Sequence, residues 1–284
     1  MKPREYSVEE TEAALSVLAE LLTHLGAYRE GIVVVGGFGP YLLLRGQQAG
    51  DPHIGTLDVD LALDPARIAD PGYEAILDIL EKRGFIPARD RRGQPIPHRF
   101  VRTFQDARGR EHTIPVDFLA PEYGGTGPAR RHQRIQSLLA HKARGADLVF
   151  EQFLWVEVEA FLPNGARQKV RAKVANGAAC VVMKAITLVE RGKEKDAYDL
   201  YMLAKHYPGG RSRLAQEVLG IRSHGLVREA LRALHDKFGE VDALGPLAVA
   251  DFLGERDADA RAIRARDACE IIQDLLAQVE RPED

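Results

Sequence analysis

Residues 33–38 read VVVGGF, an apolar run that ends in two glycines, and residues 56–63 read TLDVDLAL. The first stretch predicts a buried strand that leads into a tight turn, with a helix from about Pro40. Because glycine has no side chain, the turn at Gly36 and Gly37 lets a ligand approach the backbone closely. The amide groups of such a turn and of the helix start are suited to hold a phosphate.

The second stretch alternates acidic and apolar residues. Side chains at positions i and i+2 of a strand share a face, so we expect Asp58 and Asp60 to point the same way. Two like charges at this separation repel each other unless a cation lies between them. Because Mg²⁺ prefers carboxylate oxygens together with substrate phosphates, the pattern predicts a magnesium site at Asp58 and Asp60.

A glycine turn followed by an acidic strand resembles the nucleotidyltransferase superfamily that includes DNA polymerase β, and more closely its AbiEii/MenT group of toxin-like enzymes. Gly36 and Gly37 match the turn of that group. Thr56, Asp58 and Asp60 match its Ser/Thr-x-Asp-hydrophobic-Asp strand. The resemblance implies that the two glycines and Thr56 bind the nucleotide, and that Asp58 and Asp60 are catalytic metal ligands.

A later hairpin carries a third acidic candidate. Residues 99–104 and 113–119 predict two paired strands, the second of which contains Asp117. In the polymerase β superfamily a third carboxylate completes the metal site and often acts as the base, and the resemblance implies this catalytic role for Asp117. By its local pattern alone, Asp117 is equally well explained as a strand-end residue in a turn-rich region. Three carboxylates around two Mg²⁺ ions would suit phosphoryl transfer.

From residue 175 onward the pattern is helical and carries a second signature. Its charged residues are Lys184, Arg191, Lys195, Asp196 and Asp199. AbiEii-like proteins have a lysine followed by a basic-Asp-x-x-Asp-Leu segment at about this separation. The resemblance implies that Lys184 and Asp196 are catalytic, that Lys184 neutralises triphosphate or pyrophosphate charge, and that Arg191 assists nucleotide binding. Such pairs also commonly brace helices, which is the role we expect for Asp199.

Three further stretches give structural expectations. Residues 130–144 contain Arg130, Arg131 and other bases with few acids. This span is interpreted either as a solvated charged helix and loop, which we favour slightly, or as a patch for RNA phosphates. Residues 85–96 are predicted to be turn-rich. The single tryptophan, Trp155, is predicted to lie on a strand in the core.

Composition limits the function classes. The chain of 284 residues has 39 basic and 42 acidic residues, for a formal net charge of −3, so any nucleic-acid surface must be a local patch. Cys180 and Cys269 lack metal-ligand spacing and are predicted to be buried thiols in a reducing compartment. No apolar run approaches membrane length and no signal peptide is expected, so we predict a cytoplasmic protein without a membrane partner.

The predicted fold is α/β of the α+β type and bilobed. A mixed-sheet nucleotidyltransferase lobe covers residues 1–174, and an all-helical lobe, residues 175–284, closes the cleft. The resemblance implies Mg²⁺-dependent transfer of a nucleoside monophosphate from an NTP to the 3′ end of tRNA. It also implies that the protein is the toxin of a toxin–antitoxin pair, with a cognate antitoxin as partner. Two alternatives stay open: a small-molecule, antibiotic-type nucleotidyltransferase, and a catalytically silent nucleotide-binding regulator.

Overall fold

The computed structural model describes residues 6–46, 52–68, 75–122 and 132–281. The chain divides into two compact units. The sheet unit consists of Tyr6–Leu42 and Gly55–Ala175, and the helical unit contains Leu43–Ile54 and Asn176–Asp284. The sequence places the boundary after residue 174, and the contacts place it after residue 175 and assign residues 43–54 to the helices.

The described part of the sheet unit contains nine strands in one sheet. They are β1 (Ile32–Val35), β2 (Val59–Leu63), β3 (Phe85–Arg89), β4 (Pro95–Gln105), β5 (Glu111–Pro121), β6 (His132–Ile135), β7 (Leu138–Ala143), β8 (Phe153–Phe161) and β9 (Arg167–Ala175). Their order is β3-β4-β5-β2-β1-β9-β8, while β7 also pairs with β5 and β6 with β7. Because β2–β5, β1–β9 and β5–β7 are parallel and the other pairs antiparallel, the sheet is mixed, as predicted.

Helices pack on this sheet and connect its strands. Those described are α1 (Val8–His24), α2 (Phe38–Leu44), α3 (Pro65–Ile68) and α4 (Ile76–Lys82), with short 3₁₀ turns at Gly26–Gly31 and Leu148–Phe150. The first helix begins at a cap, since the Glu10 N–H donates to Ser7 Oγ at 3.1 Å. It packs against β2, β5, β8 and β9 and buries Leu15 and Leu18. This helix therefore covers part of one face of the sheet.

The structure differs from the sequence expectations at three places in this unit. Residues 85–89 form strand β3 instead of a turn, with a register shift between Pro87 and Arg89 against β4. The prediction of a charged helix within residues 130–144 is wrong, because residues 132–143 form the β6–β7 hairpin; Arg130 and Arg131 lie outside the described residues. Trp155 is not in the core: it lies on β8 with 39% of its surface exposed, beside the Arg171 guanidinium.

The helical unit contains six described helices, as the periodicity predicts for the C-terminal part. They are α5 (Gly177–Arg191), α6 (Glu194–His206), α7 (Arg211–Gly220), α8 (Gly225–Phe238), α9 (Leu244–Leu253) and α10 (Ala258–Glu280). Asn176 caps the start of α5, and Gly192 ends it with a positive φ of 60°. Asp257 caps α10, which packs against α6, α7, α8 and α9. The mixed α/β class with a helical C-terminal part is therefore confirmed.

Two further expectations from the sequence concern the state of the cysteines and the presence of membrane-spanning helices. Cys180 and Cys269 are both free and buried, as predicted. Burial raises the pKa of the Cys180 thiol to about 12, which keeps it protonated and unreactive at neutral pH. Within the described ranges, every helix is too short or too polar to cross a lipid bilayer.

Candidate functional site

The glycine turn of the sheet unit lies against two side chains of the acidic stretch. A methyl group placed on Gly36 would lie 1.9 Å from Asp60 Oδ2, and one placed on Gly37 would lie 2.3 Å from Thr56 Oγ1. Gly36 also has a φ of 63°, in the left-handed region. In the β1–β2 ladder Val35 pairs with Asp60, which places this carboxylate where β1 enters the turn. Both glycines are therefore required by close packing.

The acidic stretch is organised around β2. Asp58 lies in the bend before the strand and not, as the alternation predicts, on the strand, and its Oδ1 accepts a hydrogen bond from Thr56 Oγ1 at 3.0 Å. Asp60 lies within β2 and pairs in register with Asp117 on the parallel strand β5. Residues directly opposite each other on neighbouring strands project to the same face, so Asp60 and Asp117 face the same side. The structure brings these four predicted site residues together with the glycine turn.

A guanidinium holds the third carboxylate. Arg99 on β4 is opposite Asp117 in the ladder, and its Nε donates to Asp117 Oδ1 at 2.6 Å while Nη2 donates to Oδ2. The hydrogen bond to Asp117 raises the pKa of Arg99, and the charges of Asp58 and Asp60 add to the effect. One arginine thus lies in the field of three carboxylates. The metal-ligand role of Asp117 stays a prediction, and both of its oxygens bind Arg99 in this structure.

The sequence analysis did not identify Arg99 as a site residue, although the predicted hairpin could have indicated its pairing with Asp117. The predicted hairpin of residues 99–104 and 113–119 already contains both partners, and the ladder register sets Arg99 opposite Asp117. Opposite charges directly across an antiparallel pair stabilise each other. Register depends on the turn, which spans Asp106–Arg110 and contains hydrogen bonds from the Arg108 and Arg110 amides to Asp106 Oδ1.

The helical unit buries a second charged group, which we call the α5–α6 cluster: Lys184, Asp196, Asp199, Lys195 and His53. Lys184 Nζ lies 2.9 Å from Asp196 Oδ1 and 2.7 Å from Asp199 Oδ2. Lys195 also pairs with Asp199, and His53 Nε2 lies 2.9 Å from Asp199 Oδ1. Asp199 is fully buried at the centre, which supports the bracing role expected for it.

Charge pairing in the α5–α6 cluster offsets its burial. Burial alone would lower the pKa of Lys184, but Asp199 and Asp196 raise it above its usual value. Burial alone would raise the pKa of Asp199, but Lys184 and Lys195 hold it well below its usual value. Burial lowers the pKa of His53 to about 4, with the charge of Lys195 adding to the effect, so this ring is neutral at pH 7.

The sequence predicts a role for Arg191, which lies beside the cluster, but it does not predict the involvement of His53. Arg191 Nη2 lies 3.6 Å from Asp196 Oδ2, and half of the Arg191 side chain is exposed. Sequence reasoning missed His53, since it lies in a polar stretch 146 residues from Asp199 and no local pattern marks it. The catalytic roles of Lys184 and Asp196 and the nucleotide contact of Arg191 stay predictions.

Comparison with known proteins assigns no family. A scan of the chain against protein-family models gives no match, and a search of curated protein sequences gives none either.

The first prediction concerns the packing of Gly36. We expect Gly36→Ala to lower the free energy of unfolding by roughly 2 kcal/mol or more, because an L residue is strained at positive φ and its methyl group displaces Asp60. The measurement is urea unfolding followed by the fluorescence of Trp155, which lies in the same unit. The control is Gly26→Ala, where nothing lies within 4 Å of the added methyl. Equal effects of both changes would contradict the prediction.

The second prediction concerns Lys184. We expect Lys184→Met to lower the free energy of unfolding by about 3–5 kcal/mol, because two buried carboxylates lose their shared cation. Urea unfolding followed by helical circular dichroism measures this loss. Lys205→Met is the matched control on α6: Lys205 pairs with the partly exposed Asp267, so a loss below about 1 kcal/mol is expected. A loss of unfolding free energy in Lys184→Met no larger than that in Lys205→Met would contradict the bracing role.

The third prediction is a pH dependence. Because the pKa of His53 is about 4 in the fold and 6.5 as a free side chain, the unfolded chain binds more protons between these values. Stability is therefore lost as the pH falls through this window, by about 2 kcal/mol between pH 7.5 and pH 5. We expect His53→Gln to flatten this dependence and His206→Gln, at the end of α6, to leave it unchanged. An unaltered slope in His53→Gln would refute the assignment.

Proposed function

We propose that the sheet unit binds a magnesium nucleoside triphosphate and transfers its nucleoside monophosphate to an acceptor. The single observation that supports this most is the packing of the Gly36–Gly37 turn against Asp60 and Thr56. A backbone without side chains is suited to a phosphate chain, and here it directly adjoins the Asp60 carboxylate, a ligand suited to a hard cation. Either feature alone is common, and their contact is what favours nucleotidyl transfer.

The charge of the site supports a divalent cation. Asp58, Asp60 and Asp117 are three carboxylates whose negative charges all act on the Arg99 guanidinium. Asp58 and Asp60 are half-buried, and like charges in such a place are costly unless a cation compensates them. Their donor atoms are carboxylate oxygens, which is the ligand type that Mg²⁺ prefers. Asp58 and Asp60 would hold the ion.

Each side chain then has a role in the proposed reaction. A bound Mg²⁺ would neutralise charge on the phosphates and on the pyrophosphate leaving group. The Gly36–Gly37 turn would hold the phosphate chain, and the Thr56 hydroxyl orients Asp58 through its hydrogen bond. Arg99 fixes the direction of Asp117 through two bonds, which positions this carboxylate on the same face as Asp60.

The acceptor and the biology follow from the resemblance. We propose the 3′ end of tRNA as acceptor and a toxin–antitoxin pair as context, because the turn, the acidic strand and the Lys184–Asp199 segment match the AbiEii/MenT pattern. The described basic residues of the β6–β7 hairpin and its exit are Arg134, Lys142 and Arg144. Basic side chains on an RNA-binding surface contact the RNA phosphates. We propose that this hairpin is the surface that binds the RNA acceptor.

The fourth prediction tests the reaction. The protein is incubated with each α-labelled NTP, Mg²⁺ and total tRNA, and label on RNA is measured after electrophoresis. We expect label from a preferred NTP to fall by at least about 100-fold in Asp58→Asn and Asp60→Asn, because transition-state charge loses its compensation. Asp78→Asn is the matched control, since Asp78 is an exposed residue on α4 of the same unit.

Each other outcome has a defined meaning. Equal labelling by all three variants would refute the proposed site. Label transferred to a small-molecule acceptor and not to RNA would favour the antibiotic-type alternative. NTP binding without label on any acceptor would favour the silent regulator. Circular dichroism of each variant confirms that the fold is kept.

A further inference from the structure

Three histidines of the sheet unit lie together: His98 on β4, His132 on β6 and His141 on β7. In the antiparallel β6–β7 ladder, His132 is directly opposite His141. The ring centroid of His98 lies 4.8 Å from that of His141 and 5.2 Å from that of His132. His98 Nδ1 and His132 Nε2 are 3.1 Å apart, and one ligand nitrogen from each of the three rings lies within 4.8 Å of the others.

The topology explains why residues so distant in sequence meet. Strand β4 pairs with β5 up to Arg99 opposite Asp117, and β7 pairs with β5 at Leu119 opposite His141. Leu119 also pairs with Ala62 of β2, which occupies the other edge of β5. Strands β4 and β7 therefore meet the same edge of β5 one after the other, and this places His98 beside the hairpin.

The hairpin that carries two of the rings is fixed at its turn. Gln136 adopts a φ of 54°, which is unusual for a residue with a side chain. Its amide donates to Tyr28 Oη and to the Ile68 carbonyl, each at 3.1 Å, and its oxygen accepts from the Ile76 N–H at 3.0 Å. Three bonds to separate elements of the sheet unit hold the turn, so His132 and His141 are placed before any ligand binds.

We propose that His98, His132 and His141 bind one Zn²⁺ ion. A tetrahedral ion that is 2.0–2.1 Å from each nitrogen sets its ligands roughly 3.3 Å apart, a separation that small side-chain movements reach from the observed one. Three imidazoles form a borderline ligand set that suits zinc and other late transition metals, and they are poor ligands for Mg²⁺.

The ligand set also indicates the kind of site. Structural zinc sites are closed by four protein ligands, whereas three protein ligands leave a position for water or a substrate group. In the part of the chain that the structure describes, only these histidines form a group of at least three candidate ligands with donor atoms within 4.8 Å of one another. Asp58, Asp60 and Asp117 do not form such a group, so this zinc site is distinct in its ligands from the proposed magnesium site.

The fifth prediction tests this site on the full chain. After dialysis against a chelator, we expect titration with ZnCl₂ to give one tight equivalent by calorimetry, unaffected by excess Mg²⁺. Loss of an outer-shell partner typically weakens metal binding about 10- to 100-fold, so loss of a ligand in His132→Gln or His141→Gln should weaken it by at least about 100-fold. His24→Gln, on α1 of the same unit, is the control and should bind as the wild type does.

Two further measurements keep the proposal falsifiable. Co²⁺ in place of zinc should give the visible absorption of a tetrahedral ion, and His132→Gln should lose it. Circular dichroism separates a lost ligand from a lost fold. The absence of a stoichiometric zinc equivalent, or equal affinity in His132→Gln, His141→Gln and wild type, would overturn the proposal. Because the readout is metal binding, its failure is distinguishable from failure of nucleotidyl transfer.

Discussion

The contact between the Asp60 carboxylate and Gly36 is the constraint on which the candidate site depends. It exists because Val35 and Asp60 are partners in the β1–β2 ladder, so the end of one strand and a charge on the next are fixed together. A side chain at Gly36 would occupy the space of the Asp60 oxygen. The turn and the acid are therefore a single structural feature, and strand pairing holds them in place without a ligand.

The α5–α6 cluster and the carboxylates around Arg99 differ in how their charges are paired. In the α5–α6 cluster, Lys184 and Lys195 match Asp196 and Asp199, and His53 is neutral, so the charges sum to zero. A balanced and buried cluster has little affinity left for another ion, which favours a bracing role. Around Arg99, by contrast, three carboxylates act on one guanidinium. Like charges grouped in this way repel one another, and a bound cation would relieve that repulsion.

What could be predicted from the sequence is what short-range patterns encode. The apolar run of β1, the alternation of β4 and β5 and the helical periods of α7 to α10 all predict the observed elements, because side-chain spacing reflects local geometry. Strand β3 was missed because Pro87 interrupts its pattern, although an edge strand tolerates proline. Trp155 was misplaced because an aromatic residue on a strand is buried only if something covers the face of the strand on which it lies.

Pairings between distant segments could not be predicted in the same way. Arg99–Asp117 requires the register of a hairpin, His53–Asp199 joins two segments without a shared pattern, and the three histidines meet only because β7 joins β5. That last connection has a chemical consequence. Strand β5 carries Asp117 in register with Asp60 and adjoins His141 through Leu119, so oxygen and nitrogen ligands are kept in separate groups. Because imidazole nitrogens suit Zn²⁺ and carboxylate oxygens suit Mg²⁺, the two groups of ligands beside β5 differ in the ion that each would prefer.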